Sequence, residues 1–504
     1  MPSPPVLRWL VFFAAALTGF LIRFLVPVPV AQADNRDGPR LMCGLGLVPV
    51  THGHPRFFRF AYFEYVHSAS CNGRAPYPSS QLVPLELARL LTPVFGLPGS
   101  LNMIVVGVLM SITASVGIAS LAVGLRIRLW AQLLVAVAVW IAVADSAFFE
   151  TFAGPFSEPA ALTGLVLVAA GVLYLGRGWR LTVFGLVLAG IGGCAAILSK
   201  EQYLVFAAPI CVTLVLATAG PGRWYRLSRF RTREATAGLA VALLLAVLTA
   251  GYVGWDFTSH YGKRLHYIQA TDMIFTDIVN TPGDAHAGLR ALGLPASWAR
   301  WEGHYYWDHT GSIRNSPLFA RYENKLTDGN IAHYLITHPG SIVTIGQSAA
   351  EQAQKLQVTA LGDYPVSAGH KPGAYAERVV VLTWLMHRLP PRAGLAFYVP
   401  LWLAMIAIGI WALAWRRRRP WNRDAAMMVL CMTGCAILAF VPPAYFAGIS
   451  TTRHMVGTNL ATALAAVVSF GLLVSLVRQL VTRRPRPSGL PGRRNAVEEV
   501  GVSR

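Results

Sequence analysis

ILSKEQYLVF, residues 197–206, sets Lys200 and Glu201 between two stretches that are otherwise almost wholly apolar. The stretch upstream, 181–198, and the one downstream, 204–219, each approach the roughly 20 residues that a helix needs to cross a bilayer core of about 30 Å. Read outward with the same window, the chain gives ten such segments: 9–30, 101–123, 130–148, 159–176, 181–198, 204–219, 235–255, 394–415, 425–446 and 456–477. Lys200 then stands at the end of the fifth.

Composition agrees with that reading. Of 504 residues, 54% are hydrophobic and only 13% charged, with a mean hydropathy of +0.48, which excludes a soluble domain of ordinary usage. The expected fold is an all-α polytopic membrane protein of about ten transmembrane helices. Its net charge of +20 does not point to nucleic acid, because the arginines sit in short loops and the tail rather than in one aromatic-studded basic domain. One set of short loops carries fourteen cations: Arg126, Arg128, Arg177, Arg180, Arg223, Arg226, Arg229, Arg231, Arg233, Arg416, Arg417, Arg418, Arg419 and Arg423. The alternate short loops carry two, Lys200 and Arg453. Since Lys and Arg of short loops stay on the cytoplasmic side, both termini are expected in the cytoplasm. AQAD at 31–34 resembles a cleavage site, but the long apolar run before it contains Arg23, and a retained first helix is expected.

This topology divides the chain into an N-terminal transmembrane module, 1–255, which includes an external loop at 31–100; an extracytoplasmic segment, 256–393; C-terminal transmembrane helices, 394–477; and a basic cytoplasmic tail, 478–504. Spans 101–123 and 130–148, joined by a tight basic turn, are expected to pack as an antiparallel hairpin. The pattern NIAHYLITHPGSIVTIGQSAAEQAQKLQ predicts short helices within the 256–393 segment. Cys43 and Cys71 both fall in the first external loop, where a disulfide is permitted and two unpaired residues are an equal alternative. The pair Cys431 and Cys435 lacks the His or Asp company of a metal site.

The outer ends of the spans gather eight ionisable groups at one depth: Asp34, Asp37 and Arg40 beyond the first span, Glu150 and Glu158 in FFETFAGPFSEP, Lys200, and Arg453 and His454 in STTRHM. Any one of them alone is best read as a side chain snorkelling to water. Acids in two loops and cations in two others, in turns so short and apolar, point instead to a lined cavity. Such a cavity suits transfer from a lipid-linked phosphate donor: cations hold the departing phosphate where negative charge grows, and a carboxylate takes the acceptor hydroxyl's proton. An aspartate, with an ordinary pKa of about 3.9, needs desolvation or a bound cation to serve.

DNRDGPR (34–40), FSEPAAL (156–162), LSKEQY (198–203) and TTRHM (451–455) together resemble the motifs of GT-C superfamily membrane glycosyltransferases, which use polyprenyl-phosphate sugars outside the cytoplasmic membrane. The stretch IQATDMIFTDIVNTPGDAHAGLRALGLPASWARWEGHYYW (268–307), with ITHPGS (336–341), is similar to bacterial glycan-biosynthesis hexose transferases, a likeness that spans most of the chain. The resemblance implies a GT-C-like fold in the bacterial cytoplasmic membrane with its site facing outward. It also implies an inverting hexosyl transfer from a polyprenyl-phosphate sugar to a cell-envelope glycan acceptor. By the same resemblance Asp37, with Asp34 as a close second, is the general base, and Lys200, Arg453 and Arg40 meet the donor phosphate. The family's paired Asp-Glu signature in the first loop is absent, since DNRD holds two aspartates, and dependence on a divalent metal, Mg or Mn, stays open.

Blander roles stand beside these. Asp34 suits a turn as an Asx residue. Glu158, ahead of Pro159, suits a helix start, where an acid meets the dipole, with acceptor or metal contact second and Glu150 behind it. Glu201 suits an ion pair with Lys200, and His454 an interfacial side chain. WARWEGHYYWDHTG (298–311) gathers aromatics near Glu302 and Asp308. It reads first as the core of a small external domain or a headgroup-layer helix, and second as a sugar platform. His304 and His309 lack a third ligand at metal spacing. The competing functions are a transporter or flippase, disfavoured because mid-span charge is nearly confined to Arg23, and a non-catalytic envelope assembly subunit.

Overall fold

The computed structural model describes residues 4–71, 77–219, 232–280, 285–308, 312–414, 420–448 and 451–481. His309, Arg223, Arg226, Arg229, Arg231, Arg416, Arg417, Arg418, Arg419 and nearly all of the 478–504 tail lie outside the described residues.

Each expected span has its helix. They are Pro4–Leu25, Met103–Gly124, Leu129–Ala144, Glu158–Val172, Trp179–Ile197, Ala207–Ala219 with the 3-10 turn Glu201–Phe206 leading into it, Thr232–Thr258, Gly394–Ala414, Pro420–Tyr445 and Val456–Val481. Eight are long and apolar enough to cross a membrane, whereas Leu129–Ala144 and Glu158–Val172 are shorter. The third span stops early for a visible reason. Asp145 turns its carboxylate onto the Ala147 N–H at 3.2 Å, the Leu382 N–H at 2.8 Å and the Thr383 hydroxyl at 2.6 Å. That carboxylate caps the short helix Ser146–Phe149 and binds the chain entering the eighth span.

The fourth and fifth spans form a close pair because glycines face glycines. A Cβ at Gly164 would stand 2.5 Å from the Gly192 carbonyl oxygen, and one at Gly171 2.6 Å from that of Gly185. Small residues allow this approach where lipid offers no hydrophobic drive between helices. The second and third spans touch as a hairpin, but the second packs more extensively on the first and fourth.

The fourth span separates two charged ends. Beyond Val172, Arg177 Nε donates to Asp424 Oδ2 at 2.7 Å and Arg423 Nη2 to the Ala217 carbonyl at 3.1 Å. At its other end Glu158 begins the helix. Arg23, within the first span, does not reach for water: it donates to Glu150 Oε1 at 2.6 Å, Ser146 Oγ at 2.9 Å and the Ala144 carbonyl at 2.8 Å.

Two segments cover the Glu158 end. Residues 31–100 depart from the all-helical expectation with a small antiparallel sheet in which Leu47–Pro49 pairs with Glu64–His67, and this with Leu101–Asn102 at the foot of the second span. Cys43 and Cys71 form a disulfide beside it. The 256–393 segment holds the expected short helices as Asp328–Thr337 and Pro339–Gln354, interrupted at His338 and restarted by Pro339 at its first turn. It has its own apolar core around Phe275, Trp298, Ile331 and Leu335. His266 bridges Asp256 at 2.7 Å and Asp328 at 2.7 Å, tying this segment to the end of the seventh span.

Candidate active site

The turn after the first span is built by Asp34. Its Oδ1 accepts the N–H groups of Arg36 at 2.8 Å and Gly38 at 2.9 Å, holding Arg36 at φ +85°. A Cβ on Gly38 would lie 2.5 Å from Asp34 Oδ2, so glycine is required for the carboxylate to close the turn. Asp34 is thereby buried, 4% exposed, and used as an Asx residue. The turn delivers Asp37, the residue after the left-handed Arg36, to the start of the short helix Gly38–Met42.

Asp37 Oδ2 is ion-paired with Arg453 Nη2, and Asp37 Oδ1 lies 3.5 Å from Arg40 Nη1. Arg453 Nη2 is also 3.5 Å from Glu158 Oε1, which in turn takes Lys200 Nζ at 3.2 Å. Lys200 is placed by the break between the fifth and sixth spans, where it adopts φ −160° before the 3-10 turn begins. His454 Nε2 lies 3.4 Å from Lys200 Nζ and 3.5 Å from Arg453 Nη2. Six of the eight expected groups thus meet: Asp37, Arg40, Glu158, Lys200, Arg453 and His454. Glu158 combines the helix-start role with the ion pairs.

The other two are taken up elsewhere. Asp34 closes its turn, and Glu150 is occupied by Arg23. Glu201, expected as the partner of Lys200, instead accepts a short hydrogen bond from the Tyr77 hydroxyl, to which Tyr252 donates in turn at 3.3 Å.

The electrostatics follow from crowding of unlike charges. Burial raises the Asp37 carboxyl, but the Arg453, Arg40 and Lys200 charges and the Arg453 hydrogen bond outweigh it and hold Asp37 well below the usual carboxylate range. Burial works against charge on Arg453, and Asp37 and Glu158 outweigh it, so the guanidinium stays firmly cationic. His454 is pushed the other way, by burial first and then by Lys200 and Arg453, and is neutral. Arg453 is 2% exposed, lies 4.9 Å over the Phe156 ring, and has Nε and Nη1 buried without a hydrogen-bond partner. A buried guanidinium with unfilled donors is costly, and it is the feature that an anion would relieve.

Asp37, Arg40, Lys200, Arg453 and His454 border one cavity of 1260 Å³. Its lining comes from the Glu158 end of the bundle and the two covering segments, and includes none of the described arginines of the opposite loops. The far wall holds three residues to which the sequence assigned no role, Asp272, Asp277 and Arg314, together with Tyr305 and Trp307 of the aromatic cluster. Asp272 and Asp277 are five residues apart, about 140° around an ordinary α-helix. The helix His260–Met273 widens into a π-turn, Ile274–Ile278, with the Val279 N–H reaching the Ile274 carbonyl at 2.8 Å, and both acids reach the cavity. π-turns of this kind are frequent at functional sites. Gly448, at φ +66°, lets the chain before the last span press against this turn, where a Cβ would lie 2.3 Å from the Met273 nitrogen.

The aromatic cluster divides. Trp298 and Trp301 are buried in the core of the 256–393 segment, as first read, while Tyr305 and Trp307 face the cavity at 44% and 42% exposure. Among the described residues no group of three or more His, Cys, Asp or Glu is placed to hold a metal ion. Asp37 in particular is ringed by three cations, a field that repels a divalent ion.

The fold and this site define a multi-pass helical membrane protein with a large charged cavity at one end of its bundle. The family model described as YfdI N-terminal transmembrane domain matches residues 6–484, and the chain belongs to that family. Among solved structures the chain is similar to the archaeal oligosaccharyltransferase AglB from Archaeoglobus fulgidus, determined with an inhibitory peptide and a dolichol-phosphate. The two share 12% identity and a TM-score of 0.39 over 96% of this chain and 52% of that one. The chain therefore spans about half the length of that protein. No curated protein matches.

Proposed function

We infer that the protein is a glycosyltransferase of the bacterial cytoplasmic membrane that moves a sugar from a polyprenyl-phosphate donor to a cell-envelope glycan acceptor, at a site facing outward. The observation that carries this reading is the buried Arg453 guanidinium, with Nε and Nη1 unfilled, beside Lys200 at the wall of a large cavity. Two cations so placed suit the phosphate of a lipid-linked sugar, and Arg offers it a planar fork. Arg40 is the third candidate.

The acceptor hydroxyl attacks the anomeric carbon from the face opposite the phosphate. The C–O bond to phosphate breaks, its electron pair leaves with the lipid phosphate, and Asp37 takes the hydroxyl proton. Asp37 is a weak base while Arg453 holds it. A phosphate that draws Arg453 and Lys200 to itself weakens that hold and raises the Asp37 carboxyl, so the base strengthens only when donor is bound. Neutral His454 keeps a ring nitrogen toward Lys200 and Arg453 without adding charge. No step of this scheme needs a metal.

Support over a carrier comes from the one-ended lining of the cavity. The test is transfer of labelled sugar from a panel of polyprenyl-phosphate sugars by the protein in lipid nanodiscs, together with envelope glycan composition with and without the gene. Transfer that disappears in Asp37→Asn and Lys200→Met is expected; no transfer from any donor and an unchanged glycan would sink the reading.

A further inference from the structure

The cavity has two unlike walls, and the second has no role in the scheme above. Asp272 is 1% exposed. Its Oδ1 accepts the Tyr306 N–H at 2.6 Å, while Oδ2 is buried with no partner although the residue borders the cavity. Leaving a carboxylate oxygen unfilled in a buried place costs free energy, and the fold takes some trouble to hold it there. The π-turn aims Asp272 and Asp277 to one side, and Thr276 Oγ1 pins the turn at 2.7 Å from the Gly448 carbonyl and 2.8 Å from Asp277 Oδ2. Burial, countered by the Tyr306 amide and helped by the Asp308 and Asp277 charges, pushes Asp272 up to about 7. At neutral pH it can both give and accept a hydrogen bond.

Beside these acids stand the rings of Tyr305 and Trp307. The Trp307 ring is held on edge against Tyr306, their centroids 4.9 Å apart, and lies under the Arg314 guanidinium at 5.2 Å. Carboxyl oxygens that bond neighbouring hydroxyls, next to an aromatic face on which ring C–H groups can lie, are complementary to a pyranose. Carboxylates on this wall also repel an anionic ligand.

We propose that Asp272, Asp277 and Trp307 form a subsite for a neutral saccharide, the acceptor glycan, facing the cations across the cavity. The proposal rests on the glycosyl-transfer reading for the word acceptor, but sugar binding at this wall can be measured without it.

The experiment is saturation-transfer NMR titration of the nanodisc-embedded protein with methyl glycosides of a neutral hexose and of the matching uronic acid, with polyprenyl phosphate binding measured in parallel. The expected result is binding of the neutral glycoside, tighter than the uronate, and at least tenfold weaker in Asp272→Asn and in Trp307→Ala. Trp307 is partly exposed, so its variant keeps the test open if Asp272→Asn fails to fold. Lys200→Met should lose polyprenyl phosphate binding yet keep the saccharide. No saccharide signal in the wild type, equal binding of the uronate, or binding unmoved by both wall variants would overturn the subsite. Saccharide binding without any polyprenyl phosphate binding would leave the subsite standing and remove the transferase reading instead.

Discussion

The two walls of the cavity are made of opposite charge by opposite means. The basic wall is a set of ion pairs: Lys200 and Arg453 share one oxygen of Glu158, and Asp37 is held between Arg453 and Arg40. On the acidic wall Asp272 accepts the Tyr306 N–H through one oxygen and keeps the other unfilled. The first wall holds charge fixed and ready for an anion; the second holds a group whose charge is suppressed by burial. A site that must bind a phosphate and a polyol together needs both, because one uniform field would favour one ligand at the expense of the other.

Substitution should break this contrast in graded steps. Asp37→Asn is expected to lower transfer roughly 10²–10⁴-fold while leaving polyprenyl phosphate affinity within a few fold, since a base acts on kcat; equal loss of both would place Asp37 in binding alone. Arg453→Lys is expected to lose on the order of 10²–10³-fold, because a point charge cannot replace the fork over Phe156, and near wild-type turnover in that variant would refute a directed phosphate contact.

Asp272→Asn should act on the acceptor, raising its KM about tenfold with kcat little changed. The same variant carries a stability signature of known sign. Asp272 is raised in the folded protein to about 7, so between the ordinary carboxylate value and 7 the folded state binds more protons than the unfolded one, and stability falls as pH rises through that window. The variant should therefore gain thermal stability over wild type at pH 8, by up to about 4 kcal/mol, and none at pH 4; a difference independent of pH would contradict it. Smallest of all, Asp34→Ala should cost about 1–2 kcal/mol of stability, as for loss of a capping side chain, and leave the acceptor KM unchanged in transfer assays. A variant as inactive as Asp37→Asn would mean that the two aspartates have been assigned the wrong way round.

The basic wall was legible in the sequence because its members interrupt apolar stretches. Lys200 lies between two spans and Arg453 just ahead of the last one, where any charge is conspicuous. The acidic wall was not legible, since Asp272 and Asp277 sit in an ordinarily polar segment and their spacing matches no α-helical face until the π-turn is known. Even on the legible side, Asp34 and Glu150 stood at the right depth, and the fold directs them to a turn and to Arg23.

Chain order and composition alone determined ten apolar helices, the opposed arginine-rich and arginine-poor ends, and the depth of each charge. Those are one-dimensional properties: transfer of a segment into hydrocarbon sums over its own residues. Which of the charges at that depth would face one another was decided by the tertiary structure alone. Direction depends on close fits between residues far apart in the chain, such as the Gly164 and Gly192 contact and Gly448 against Met273. No local sequence window contains both halves of any long-range contact.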